Sequence, residues 1–221
     1  FGEDAAALMV NALYLKNTWA AKFDPSDTVT RDFTRADGTA EPLDFLQHFS
    51  RSLTYLQSGS DEGVLLPYDD GQLAFFALMP EDSRADFGEW LEGLSGEELS
   101  QLLRSAGEQE ESLFLRLSLP KFEAEWRGEL RDMLSSLGLD LAFTLGAADF
   151  SRMGDNPDGY FLSQVIHAAK IEAAAATVVD AVGGSSESEK PQGIQLDFNR
   201  PFLYGIADRQ TGVPLFLGTF E

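Results

Sequence analysis

The sequence predicts an α+β fold built around a mainly antiparallel sheet. Helical and strand patterns are intermixed along the 221 residues without the regular alternation of a doubly wound fold. The hydrophobic fraction of 43% is ordinary for a globular protein. No internal repeat and no break in composition divides the chain, so we expect one domain.

The first part of the chain is predicted to be rich in strands. Residues 7–23 carry many Leu, Val and aromatic side chains and fit either a buried strand or a helix. The polar stretch 24–43 contains Asp37-Gly38, a dipeptide typical of hairpin turns. Two apolar runs, at 63–67 and 73–80, flank a polar turn and indicate a second hairpin.

Helices are predicted in the middle of the chain. Residues 86–105 have apolar side chains three to five positions apart, which indicates one or two amphipathic helices, and Ser95 with Glu98 fits a capping box. Residues 113–119 (LFLRLSL) alternate like a strand with one buried face. A short helix at 129–137 should stop at Gly138. Three further strands are predicted at 161–170, 201–207 and 213–220.

Composition excludes several classes of function. A net charge of −21 disfavours binding to nucleic acid and to anionic membranes. Because the chain has no cysteine, disulfides, thiol nucleophiles and thiolate metal sites are excluded. The two histidines, His48 and His167, have no metal-ligand spacing, and the loop at 154–165 lacks the charged ends of a calcium loop. We find no catalytic motif and therefore predict neither an enzyme nor a cofactor.

Five groups of motifs occur in one order along the chain. They are VNALYLKNTWAAKF at 10–23, LPKF at 119–122, HAA at 167–169 with AAAAT at 173–177, DFNRPF at 197–202, and PLFLG at 214–218. Together they resemble the serpin family, and in particular a prokaryotic inhibitory member. The resemblance implies a large central mixed sheet, smaller antiparallel sheets and surrounding helices.

The resemblance covers the whole chain but only the C-terminal three fifths of the family's fold. Residues 1–221 are thus expected to be the C-terminal part of a single serpin domain, without the N-terminal helices. Left alone, the first apolar strand would expose a large surface and an unpaired edge. We therefore expect the N-terminal part of the same serpin to be a required partner.

The resemblance also implies a function for the alanine run. It identifies residues 173–193 as an exposed reactive loop, which a serine protease attacks as a substrate and which then inserts as a new strand into the central sheet. The hinge is Ala173, Ala174, Ala175, Ala176 and Thr177. Small side chains suit a strand that must enter a packed interior. The expected partner is a target protease held as a covalent acyl complex.

Site residues follow by position in the family's motifs. Counting forward from the alanine run puts the reactive bond between Gly184 and Ser185, whereas counting back from the C-terminal motif puts it near Lys190. The small apolar residues around Gly184 favour an elastase-like or subtilisin-like protease. Trp19, Asn11 and His167 correspond to the region where the sheet opens.

One departure from the family concerns the hinge. Serpins carry a short segment resembling VDEEGTE before the alanines, but here Glu172 directly precedes Ala173. A genuine deletion would remove the turn, and loss of inhibition would then be expected. We favour the interpretation that residues between Glu172 and Ala173 were omitted from the sequence. The competing function is a non-inhibitory serpin-fold binding protein or chaperone. The family implies a secreted protein.

Overall fold

We analysed a computed structural model, which describes residues 7–15, 17–51, 53–82, 85–106, 113–154, 159–172 and 193–221. The chain forms two compact units, which we describe separately. The first comprises Phe1–Lys16 and Glu123–Ala173, and the second comprises Asn17–Phe122 and Ala174–Glu221. Within the described ranges, no helix has the length and apolar character needed to cross a membrane.

The regular elements are numbered in chain order. The strands are β1 (Leu8–Leu15), β2 (Val29–Thr34), β3 (Ala40–Ser50), β4 (Thr54–Ser58), β5 (Asp61–Pro67), β6 (Leu73–Met79), β7 (Leu115–Pro120), β8 (Glu123–Glu129), β9 (Gln164–Glu172), β10 (Ile194–Asp197), β11 (Phe202–Asp208) and β12 (Pro214–Phe220). The helices are α1 (Phe87–Gly93), α2 (Gly96–Ala106) and α3 (Arg131–Leu134).

The first unit contains a three-stranded sheet in the order β1-β9-β8. β9 lies in the middle, parallel to β1 and antiparallel to β8. The structure resolves the ambiguity at residues 7–23, since β1 is a strand. β8 was not predicted: its sequence EAEWRGE alternates, but four of its seven residues are charged and none is β-branched.

A short helical region follows β8. The predicted helix begins two residues later than expected, because Glu129 still pairs with Ile166 of β9 and α3 starts only at Arg131. A π-helical turn continues α3 over Ser135–Leu139, and Gly138 within it has a φ of 95°, which strains any residue except glycine. The predicted end of the helix at Gly138 is therefore confirmed, because the backbone leaves the helical conformation at this residue.

The second unit contains two sheets. One has the order β12-β11-β6-β5-β4 and is antiparallel throughout, and the other has the order β10-β7-β3-β2. In the latter, β10 pairs with β7 in parallel. The predicted Asp37-Gly38 turn joins β2 to β3, with Gly38 at a φ of 82° and the Thr39 amide donating to Asp37 Oδ1 at 2.8 Å. Both predicted hairpins are confirmed.

Helices α1 and α2 cover one face of the five-stranded sheet. Asp86 caps α1 by accepting from the Glu89 amide at 3.0 Å, and Ser95 accepts from the Glu98 amide at 3.4 Å before α2. The predicted helical region is thus two helices, and Gly96 begins the second one. The buried cluster beneath them consists of Leu56, Leu65, Ala74, Phe76, Leu78, Leu99, Leu103, Ala106, Leu203 and Ala207.

An aromatic cluster joins the C-terminal motifs to the rest of the second unit. Phe122 lies 4.7 Å from the Tyr204 ring and 5.9 Å from the Phe202 ring, and Phe198 lies 5.2 Å from Phe202. Phe202 is fully buried. The LPKF and DFNRPF motifs therefore supply large aromatic side chains to one shared core.

The prediction of a single buried face for residues 113–119 is wrong. In β7, Leu117, Ser118, Leu119 and Pro120 are all buried, so both faces of the strand are covered. On the face of Ser118, the side chains of Arg31 from β2 and Gln47 from β3 donate hydrogen bonds to its Oγ, at 3.1 and 2.7 Å. The α+β class itself is confirmed, with two parallel pairings among mainly antiparallel ones.

Candidate functional site

The parallel pairing of β1 with β9 is the candidate functional site, and we call this pair the seam. Its register runs without interruption from Leu8 opposite Gln164 to Leu15 opposite Ile171. The two strands are far apart in sequence, and parallel pairing is slightly less stable per residue than antiparallel pairing. β9 ends at Glu172, immediately before the alanine run. The seam is therefore a long-range contact beside the predicted hinge.

The structure brings two of the sequence-predicted site residues together. Asn11 of β1 and His167 of β9 are register partners within the seam. The Asn11 side chain is exposed, whereas His167 is half-buried. Two polar side chains midway along the pairing can exchange hydrogen-bond partners if the strands separate. A role in sheet opening remains a prediction for both residues.

His167 has a second neighbour that the sequence did not indicate. Gly128 of β8 is its register partner on the other side, and the Trp126 ring lies 5.8 Å from the His167 ring. A Cβ on Gly128 would lie 2.4 Å from the Trp126 ring, so a larger residue at this position would displace the indole. The contact between Trp126 and His167 has no local sequence pattern, because it depends on the pairing of β8 with β9.

Trp19, the third predicted site residue, belongs to the second unit. It is 3% exposed and stacks on Tyr68, with ring centroids 4.8 Å apart, and it meets Phe75 edge to face at 5.4 Å. Burial raises the pKa of the Tyr68 hydroxyl, which therefore stays neutral. Trp19 is thus a buried core aromatic, and its role at the sheet opening stays a prediction.

Other predicted site residues lie outside the described residues. These are the hinge Ala173, Ala174, Ala175, Ala176 and Thr177, the reactive bond Gly184–Ser185, and the alternative Lys190. The described strands on either side are β9, which ends at Glu172, and β10, which begins at Ile194. Ala173 itself is not among the described residues, so the expected omission of residues between Glu172 and Ala173 stays a prediction.

The first unit exposes a large apolar surface. On β1, Met9, Val10 and Tyr14 are 51%, 63% and 58% exposed. Within the described residues β1 pairs only with β9, so its other edge is open. Six more large apolar side chains are exposed after β8: Met133, Leu137, Leu139, Leu141, Leu145 and Met153. Exposed apolar side chains in this number are typical of surfaces that bind another segment or partner.

The other histidine has a structural environment. His48 of β3 lies 5.3 Å from the Phe23 ring, and its pKa is lowered because burial penalises the charged imidazolium, an effect that Asp27 partly opposes. Among the described residues, no group of three or more His, Asp or Glu side chains is arranged to hold a metal ion.

Comparisons with known proteins agree with the fold. A family model described as "Serpin (serine protease inhibitor)" matches residues 1–221. The chain is 30% identical to Serpin B10 of Plecturocebus moloch over 99% of its own length and 55% of the relative's. It is 33% identical to Serpin-Z7 of Hordeum vulgare, covering 94% of this chain and 53% of that protein. An uncharacterized serpin-like protein of Thermococcus kodakarensis is 30% identical over 96% of this chain and 48% of its own.

Solved structures show the same architecture. Tengpin, a thermophilic serpin in its native state, superposes with a TM-score of 0.81 at 26% identity, covering 95% of this chain and 54% of that one. A tumour suppressing serpin superposes with a TM-score of 0.78 at 28% identity, covering 96% and 56%. The fold and the seam define an α+β protein of the serpin type. This chain belongs to the serpin family, and it spans about half the length of the curated relatives that it matches.

Proposed function

We propose that the protein containing this chain inhibits a serine protease as a suicide substrate, through cleavage of the segment 173–193 and its insertion into the seam. The supporting observation is the seam itself. It consists of eight parallel register pairs between β1 and β9, and β9 directly precedes the alanine run in the sequence. A strand that turns back from the end of β9 would run antiparallel to both β1 and β9. It could therefore pair with each of them.

The energetic gain follows from the length of the seam. Insertion would replace one row of parallel bonds, over eight register pairs, by two rows of antiparallel bonds. The net gain of about eight hydrogen bonds, at roughly 0.5–1.5 kcal/mol each, is about 4–12 kcal/mol. This is comparable to the stability of a whole domain. The proposed mechanism thus has a sufficient driving force.

The proposed partners are a protease and the rest of the serpin. An elastase-like or subtilisin-like protease fits the small residues around Gly184 and Ser185 and would be trapped as an acyl complex. The N-terminal part of the same serpin would cover the apolar surface of β1 and pair with its open edge. Secretion is the localisation that the family implies, and we retain it as part of the proposal.

A second function is favoured by one specific observation. Because Glu172 directly precedes Ala173, the turn that serpins carry before the alanines is missing from this sequence. A loop without that turn is cleaved but does not insert, which would make the protein a non-inhibitory serpin-fold binding protein or chaperone.

The test is incubation of the full-length protein with elastase and with subtilisin, followed by denaturing electrophoresis. The proposal predicts a complex that survives SDS and is lost when Gly184 and Ser185 are both replaced by proline. Cleavage of the protein with full recovery of protease activity would refute inhibition and support the second function.

A further inference from the structure

A cavity of about 400 Å³ lies within the second unit, where three parts of the chain meet. They are the turn between β2 and β3, the connection from β6 into α1, and residues 200–201 before β11. We call it the Arg200 cavity, after the arginine in its lining. Its volume is within the range of about 300–1,000 Å³ that small-molecule sites occupy in proteins.

Hydrogen bonds between these parts of the chain hold the walls of the Arg200 cavity in place. The Thr34 amide of β2 donates to the Asn199 carbonyl oxygen at 2.8 Å. Arg200 Nη2 donates to the carbonyl oxygens of Pro80 and Glu81, at 2.7 and 3.3 Å. Because these contacts form within the protein alone, a ligand finds the cavity already shaped and binds with little reordering of its walls.

Apolar side chains form the floor of the Arg200 cavity. Pro80 and Phe87 are buried, and Pro201 is half-buried. The Phe87 ring stacks on Trp90, with ring centroids 5.3 Å apart, and this contact fixes its orientation. The floor therefore favours a ligand with an apolar group.

Arg200 is the charged group of the lining that lacks a counterion. It is half-buried, its Nε is buried without a hydrogen-bond partner, and it forms no ion pair with a described residue. The other arginine of the lining, Arg35, already pairs with Glu41. A guanidinium that is shielded from water is costly unless an opposite charge meets it. Since a carboxylate matches its fork of N–H donors, the cavity favours a ligand with a carboxylate.

Carboxylates on the rim oppose a ligand that carries only negative charge. They belong to Asp82, Asp86 and Glu221, which are all exposed. Asp86 uses Oδ1 to cap α1, and a carboxylate can accept further donors. This rim attracts an ammonium group, whereas the two guanidiniums of the lining repel a ligand that carries only positive charge. The ligand that suits both sets of charges is a zwitterion.

We propose that the Arg200 cavity binds a small zwitterion, namely a free α-amino acid with an apolar side chain. The ligand carboxylate pairs with Arg200, its ammonium group lies beside Asp82 and Asp86, and its side chain packs against Phe87. No described residue of the seam lines the cavity, so this proposal does not depend on the proposed function.

Four test compounds separate the parts of this proposal when the full-length protein is titrated by ligand-observed NMR. They are phenylalanine, N-acetylphenylalanine, phenylalanine amide and glycine. N-acetylphenylalanine lacks the ammonium group and represents the carboxyl end of a peptide, phenylalanine amide lacks the carboxylate, and glycine lacks the side chain.

Phenylalanine should bind with a Kd of about 0.1–5 mM, as expected for a ligand of its size. Each of the other three compounds should bind at least about fivefold more weakly, because each lacks one of the three contacts. Absence of phenylalanine binding would overturn the proposal. So would binding of any of the other three compounds that equals or exceeds that of phenylalanine.

Arg200→Gln and a matched control variant test the role of the guanidinium. Arg200→Gln should weaken phenylalanine binding about 10- to 100-fold, because it removes the charge that meets the carboxylate. The control is Arg209→Gln. Arg209 is also half-buried, its Nε is also buried without a partner, and its Nη1 donates to the Gly71 carbonyl oxygen at 3.2 Å, but it does not line the cavity. Equal affinities of the two variants would overturn the proposal.

Asp86→Asn keeps the test decisive if Arg200→Gln does not fold. Asparagine caps helices as well as aspartate does, so α1 keeps its cap while the rim loses one charge. Phenylalanine binding should weaken about 3- to 10-fold, whereas binding of N-acetylphenylalanine, which has no ammonium group, should not weaken. An unchanged affinity for phenylalanine in Asp86→Asn would overturn the proposed place of the ammonium group.

Discussion

A disulfide across the seam should abolish inhibition reversibly. Ala12 of β1 and Ala168 of β9 are register partners, and the protein contains no native cysteine that could interfere. Neighbouring strands lie about 4.7–4.9 Å apart, within the range of Cα separations that a disulfide spans. Oxidised Ala12→Cys/Ala168→Cys should therefore hold the two strands together.

The size of the effect follows from the hydrogen bonds that insertion would gain. If the disulfide prevents insertion, the free energy of about 4–12 kcal/mol that insertion would release, estimated from eight hydrogen bonds at roughly 0.5–1.5 kcal/mol each, is not gained. Because each 1.4 kcal/mol is about a factor of ten, even the lower figure reduces the inserted population about 10³-fold. Without insertion, the acyl intermediate is hydrolysed and the protease is released. Complex formation should fall below detection.

The assay compares oxidised and reduced protein in the same complex-formation experiment. Reduction should restore the SDS-stable complex to the level of the cysteine-free parent. The control is Arg127→Cys/Ala168→Cys, which joins β8 to β9 at a pairing that stays closed in the proposed mechanism. If the oxidised seam variant still traps protease as efficiently as the control, insertion between β1 and β9 is refuted.

Two further predictions concern stability in the second unit. Phe202→Ala, which empties a fully buried position in the aromatic cluster, should cost about 3–5 kcal/mol in urea unfolding, and Phe202→Leu markedly less; equal losses would contradict the packing described. Burial lowers the pKa of His48 in the folded state. Below pH about 6.5 the unfolded state therefore binds a proton more readily than the folded state does, and the free energy of unfolding decreases as the pH is lowered. His48→Gln should lose less stability than wild type between pH 7.5 and 5.5, and an unchanged pH dependence would contradict this assignment.

The sequence predicted best those elements whose signals are local. The Asp37-Gly38 turn and the apolar runs at 63–67 and 73–80 contain their own hairpin chemistry, and the capping serine at Ser95 lies directly before α2. These elements occur where local propensity predicts them.

Elements that depend on distant partners were missed. β4, β8 and β10 are short or polar, and each is a strand because it pairs with a neighbour. Burial of both faces of β7 likewise depends on side chains distant in sequence, since Arg31 and Gln47 hydrogen-bond the buried Ser118. A single sequence carries little information on such pairings.

In the candidate site, too, residues that belong to sequence motifs were predicted, and residues whose contacts have no motif were missed. Asn11 and His167 were found through the family's motifs, and the structure places them opposite each other. Trp126 and Gly128 were missed because a tryptophan lying over a glycine has no motif of its own.

The most direct test of the seam as an insertion site is the thermal stability of the full-length protein before and after cleavage of the segment 173–193. Insertion adds about 4–12 kcal/mol, which is comparable to the whole stability of a domain. Our account predicts that the cleaved protein melts about 5–15 °C above the intact one. An unchanged or lower melting temperature after cleavage would contradict it.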